Sequence, residues 1–188
     1  MPITSLDPTA ALIVVDLQKG IVSMPTAHPM EAVLKNARLL AETFRRVGLP
    51  VVLVNVNGMP AGRTERRRSL PPLPEDWTEF VPELDRQPQD HVVTKHTPGA
   101  FTNTGLDAHL RELGVTQVVI LGVATSNGVE VTARQAYELG YNITLAIDAM
   151  TDAQVDAHDW SLARVFPRIG ETGTTRDILN HLPGNTQA

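Results

Sequence analysis

Three features, far apart along this 188-residue chain, could do chemistry. Asp16 closes the apolar run 11–15 (ALIVV). Lys95 closes a shorter run at 92–94. A turn from Gly122 to Gly128 follows the run 118–121 (VVIL). A carboxyl can give or take a proton, and an ammonium can tune it or steady an anion. A glycine-bounded turn can offer backbone N–H groups to a negative charge. The stretch from Gly122 to Val131, GVATSNGVEV, has the form of a nucleophile-bearing corner. It holds no thiol, and the whole chain has no Cys. On their own, Asp and Lys at strand ends are equally well read as solvated surface residues.

Other constellations fail. No phosphate-binding P-loop, no GxGxxG after the first run and no G-x-S-x-G elbow is present. The six His (His28, His91, His96, His109, His158, His181) show neither HxxxH nor HExxH spacing. Thr125 and Ser126 carry hydroxyls, but a serine-type nucleophile needs a base, and the sequence indicates no His partner for either. The basic run 63–68 (RTERRR) reads as a solvated loop. Alternatively, Arg63 or a neighbour reaches a substrate carboxylate, which a guanidinium fork fits well.

These groups need a scaffold that brings them together. The apolar runs at 11–15, 51–56 (VVLVNV), 92–94, 118–121 and 143–147 (ITLAI) suit strands buried on both faces. Between them, helical spacing recurs: Val33, Ala37, Leu40, Phe44 and Val47, then Leu106, Leu110 and Leu113 ending at Gly114. Further helices are predicted over 129–139 and 152–165. Strand alternating with helix predicts a doubly wound, three-layer α/β/α fold with a mostly parallel, roughly six-stranded sheet. Ligands of such sheets bind beyond the carboxyl ends of the strands, where Asp16, Lys95 and the turn would all lie. The Pro-rich stretch 70–84 (LPPLPEDWTEFVPEL) breaks the rhythm. It reads as a lid or contact surface, or as a long surface connection.

The bulk numbers are those of a globular protein: 42% hydrophobic, 20% charged, net charge −5. A chain this acidic is not expected to bind nucleic acid or an anionic membrane. The absence of Cys removes disulfides, thiolate metal sites and redox motifs. The N-terminus lacks a basic region followed by an apolar stretch, so a cytoplasmic location without a signal peptide is expected.

Taken together, LIVVDLQKG at the first strand, VVTKHTPGAFTNTGLDAHLRELGV around Lys95 and ILGVATSNGVEVTARQAYELGYNITLAIDAMTD from Ile120 resemble the isochorismatase-like hydrolase superfamily over nearly the whole chain. The resemblance implies one such domain over residues 1–188, with the excursion at about 58–90 as lid or interface. Cysteine hydrolases of that superfamily use an Asp–Lys–Cys triad. By resemblance Asp16 and Lys95 match the first two, and Gly128 stands where the Cys would be. Covalent amidase chemistry, which needs a thiolate, is therefore not expected. The metal site of the nicotinamidase branch has no counterpart in VNVNGMPAGRT, so no metal and no cofactor are expected.

One branch, the isochorismatases, works without the Cys. It hydrolyses a vinyl ether, with the Asp protonating the methylene carbon and water adding to the resulting oxocarbenium ion. Whether burial or Lys95 wins control of the Asp16 pKa is not readable from sequence. Gly128 at a helix start would leave room and backbone N–H groups for an anionic substrate. The resemblance also implies a cis peptide bond at Val123–Ala124. It places Val123, Ala124 and Thr125 in the pocket wall, Asn55 and Asn57 where isochorismatases carry a substrate-holding Gln, and Phe101 in the pocket or the core. A homodimer or homotetramer is expected, with Trp77 supplying exposed apolar surface. The competing reading is an inactive scaffold that binds a small molecule or a protein.

Overall fold

The computed structural model describes residues 2–65 and 73–183. Six strands form one parallel sheet: β1 (Ala10–Val15), β2 (Val51–Val56), β3 (His91–Lys95), β4 (Gln117–Val123), β5 (Asn142–Thr151) and β6 (Glu171–Gly173). Their order is β3-β2-β1-β4-β5-β6, and every pairing is parallel. The doubly wound expectation holds. The chain steps outward from β1 in one direction to β3, then returns to the other side of β1 as β4. The crevice between β1 and β4 is thus the switch point where such sheets bind ligands.

Burial follows strand parity. On β1, Leu12 and Val14 pack in one core, and Ala11, Ile13 and Val15 in the other. The first core is covered by α2 (Met30–Arg46), through Val33, Ala37, Leu40 and Phe44, and by α6 (Thr175–His181). The second core is covered by α3 (Leu106–Glu112) and α4 (Glu130–Glu138). Two shorter helices complete the set, α1 (Lys19–Val22) and α5 (Val155–Trp160). Burying helices on both faces is what selects apolar strands without alternation.

Two details were not legible in sequence. β6 is only ETG, with no apolar run, and is recruited by pairing with β5. β5 is also longer than the run 143–147. Between the pairs Ile120↔Leu145 and Gly122↔Met150 it advances five residues while β4 advances two. The intervening residues bulge out and leave Asp148 to cap the start of α6, where its Oδ1 accepts from Thr175 N–H at 2.6 Å.

The excursion folds back on the sheet end. The Trp77 ring lies directly over Gly20, where a Cβ would collide with it, and Trp77 Nε1 donates to Val56 O at 3.1 Å. The fully buried Gln18 side chain ties the same corner, donating to Val56 O and Trp77 O at 3.0 and 2.8 Å and accepting from Val56 N–H at 2.6 Å. Trp77 is therefore half-buried and turned inward, which corrects the expectation that it supplies exposed apolar surface. Trp160, at 63% exposure, presents the open aromatic face instead. Among the described residues, no helix is long and apolar enough to cross a membrane.

Candidate functional site

The three sequence-distant features converge beyond the strand ends. Asp16 follows β1 in a left-handed conformation (φ 54), uncommon for a residue with a side chain and frequent at functional sites. Its backbone N–H still donates to Val54 O at 2.8 Å, so the turn-out is sharp and anchored. Lys95, the last residue of β3, reaches across β2 to meet it. Nζ lies 2.8 Å from Asp16 Oδ2 and donates to Pro98 O at 2.6 Å. Both residues are buried, Asp16 at 5% and Lys95 at 1% exposure.

The pair is electrostatically unbalanced. Burial raises the Asp16 pKa more than the Lys95 charge and hydrogen bond lower it, and the outcome is about 6, against an ordinary 3.8. Oδ2 holds Lys95, whereas Oδ1 is buried with no hydrogen-bond partner among the described residues. A buried acceptor without a donor is costly for the charged carboxylate, and a proton on Oδ1 relieves it.

The third feature closes over this carboxyl. At Gly122 (φ 121) β4 runs so close to β1 that a Cβ would run into the Val15 carbonyl, so only glycine fits. The Val123–Ala124 peptide bond is cis, the conformation the resemblance implied. A single π-helical turn, Thr125–Val129, follows and leads into α4. A Cβ built at Gly128 would stand 3.1 Å from Asp16 Oδ2, 3.1 Å from Val15 Cγ1 and 3.0 Å from Val123 O. Position 128 thus points at the carboxyl, and a side chain there would require its neighbours to give by a few tenths of an ångström.

The remaining sequence candidates divide. Val123 is buried at the cis bond, with Ala124 beside it. Asn55 is buried at the end of β2, where its Nδ2 donates to Thr78 O at 2.9 Å and ties down the excursion, while its Oδ1 has no partner. Asn57 is exposed, and its carbonyl meets the His96 ring. Phe101 is half-buried against the second core, 6.0 Å from the Tyr141 ring. Arg63 is exposed, with no contact to Asp16 or Lys95, and positions 66–68 of the same basic run lie outside the described residues.

Thr125 overturns one expectation. It does have a His partner, since its Oγ1 lies 2.8 Å from His158 Nδ1. A separation of 33 positions hid the pair in sequence, and only the packing of α5 on the turn discloses it. That hydroxyl is committed to α5 and has no contact with Asp16. Gln18 and Asp152 were also missed, each a buried polar residue whose neighbours are set by topology. Among the described residues, no group of three or more His, Asp or Glu could hold a metal ion.

The isochorismatase domain model matches residues 10–177. This chain belongs to the isochorismatase family of hydrolases. It is 38% identical over 179 residues to the isochorismatase family protein YwoC of Bacillus subtilis, covering 92% of this chain and 93% of that one. An isochorismatase family protein of Burkholderia thailandensis superposes with a TM-score of 0.82 at 41% identity, covering 92% of this chain and 95% of its own. The N-carbamoylsarcosine amidase of Thermoplasma acidophilum superposes with a TM-score of 0.73 at 30% identity, covering 89% and 96%.

Proposed function

We propose that this protein hydrolyses a small, anionic molecule by acid catalysis, without a covalent cysteine intermediate, and that Asp16 is the acid. Vinyl-ether hydrolysis of the isochorismate type is the reaction that fits. The observation that carries the reading is the Asp16 carboxyl itself: buried, held at about 6, with one oxygen on Lys95 and the other unpartnered.

A general acid works best when its pKa lies near the working pH. The Oδ1 proton passes to the substrate methylene carbon, and the vinyl-ether π electrons form the new C–H bond. The oxocarbenium ion left behind takes up water at its carbon. The added water loses a proton back to Asp16, restoring the acid. The hemiketal then collapses, with proton transfer to the departing oxygen, to an alcohol and a keto acid. Lys95 meets the carboxylate at the moment it becomes charged, when the interaction is worth most. Gly128, at the position of the family Cys, supplies no nucleophile, and Asp16 leans into the space a thiol stem would fill.

The inert-scaffold reading is less well supported. A binding scaffold gains nothing from a buried, half-satisfied Asp–Lys pair, which costs stability. The deciding experiment measures pyruvate released from isochorismate by wild type and Asp16→Ala, with nicotinamide and simple amides alongside. Pyruvate from wild type, lost in Asp16→Ala, is the expected result. Ammonia from an amide without pyruvate would overturn the proposal, and neither product would return the weight to the scaffold.

A further inference from the structure

The turn that carries Gly128 is held by buried polar residues that make no contact with Asp16 or Lys95 and take no part in the acid chemistry. Thr125, its first residue, is fully buried and bonded to His158 on α5. Ser126 gives both its backbone N–H and its hydroxyl to Asp152 Oδ2, each at 2.8 Å. Asp152 follows β5, is itself 5% exposed, and takes the Gln154 N–H on Oδ1 at 3.3 Å. Behind these, the His28 ring lies 4.5 Å from His158 and its Nδ1 is 3.1 Å from Thr151 Oγ1, while Ala27 N–H donates to Asp152 O at 2.7 Å. Three chain segments therefore converge under one five-residue turn: the loop before α2, the end of β5 and the start of α5.

The turn in turn packs on Asp16, whose Oδ2 lies 3.1 Å from the Cβ direction of Gly128. We propose that His158, acting through Thr125, and Asp152, acting through Ser126, are positioning residues that hold the turn closed over Asp16 and so keep its carboxyl dry. The charged and titratable groups around His158 are His28, Asp152 and Asp159. Burial first, then His28, lowers its pKa, against the two acids, which favours the neutral ring that can share a proton with a hydroxyl. The inference deepens the acid reading of Asp16, yet it is tested without turnover.

The test is a carbon-13 NMR titration of the Asp16 carboxyl in wild type, Thr125→Val and Thr125→Ser. Valine keeps the shape and removes the hydroxyl, whereas serine keeps the hydroxyl. If the turn keeps water out, Thr125→Val lowers the Asp16 midpoint by about one unit or more toward the ordinary aspartate range, and Thr125→Ser leaves it near wild type. A folded Thr125→Val whose Asp16 midpoint has not moved overturns the proposal. Should that variant not fold, His158→Phe against His158→Asn poses the same contrast, because asparagine retains a polar atom near the Nδ1 position. An unmoved midpoint in His158→Phe is again fatal. The two readings fail separately, since a chain that releases no pyruvate can still show the shift, and an active chain can lack it.

Discussion

Two buried ion pairs sit among the described residues, and they differ in one respect. Arg45 and Asp90 join α2 to the loop before β3. Arg45 Nε donates to Asp90 Oδ1 at 2.9 Å and Nη2 to Oδ2 at 2.7 Å, Gln87 N–H adds a third bond at 2.8 Å, and Arg45 also reaches Leu84 O. Both carboxylate oxygens are satisfied. Lys95 and Asp16 are as deeply buried, yet they share one contact, and Asp16 Oδ1 has no partner among the described residues. A forked, fully bonded pair is a fastening. A pair with an open oxygen at the strand ends is, in the function proposed above, a reagent. Completeness of hydrogen bonding, rather than burial or charge, separates the two.

The comparison can be broken at either pair. The largest effect is expected from Asp16→Asn, which should cut turnover by about 10²–10⁴ if the residue is the general acid, while circular dichroism stays native. Full activity in this variant would end the reagent reading. Arg45→Leu should do the opposite. Stranding the Asp90 charge costs about 3–5 kcal/mol in urea denaturation, with turnover per folded molecule unchanged. Gly128→Ala falls between, because its Cβ crowds Asp16. Overpacking of this kind costs about 1–3 kcal/mol, and activity should fall without any amidase activity appearing.

Finer changes sharpen the contrast through pH. Lys95→Met removes the two influences that lower the Asp16 pKa, so the carboxyl should titrate above its wild-type value of about 6 and the alkaline limb of the rate profile should move up with it. The smallest effect is on stability. Asp16 titrates higher in the fold than its ordinary 3.8, so folding favours its protonated form. Its contribution is fully present below the ordinary value and is lost as pH rises through about 6. Wild type should therefore lose stability relative to Asp16→Asn between those two pH values. A difference that is flat with pH would mean that Asp16 titrates normally.

Much of this was legible in the chain. Runs such as ALIVV and VVIL suit strands covered on both faces, and their shortness and β-branched content favour strand over buried helix, as the structure bears out. Asp16, Lys95 and the Gly122 turn could be placed at strand ends for the same reason. The hidden parts had no periodic signal. ETG becomes a strand only because β5 offers it an edge. Gln18 and Trp77 meet across 59 residues, and Thr125 meets His158 across 33, through packing that no local spacing encodes.

The sequence by itself determined the kind of sheet, the family and the chemical types available: one acid, one lysine, no thiol. It did so because apolar patterning and residue identity are local properties. Only the tertiary structure decided what state that acid is in. The Asp16 pKa is a balance between dehydration and one nearby charge, and both are set by residues that meet only when β1, β3 and the Gly128 turn close on one another.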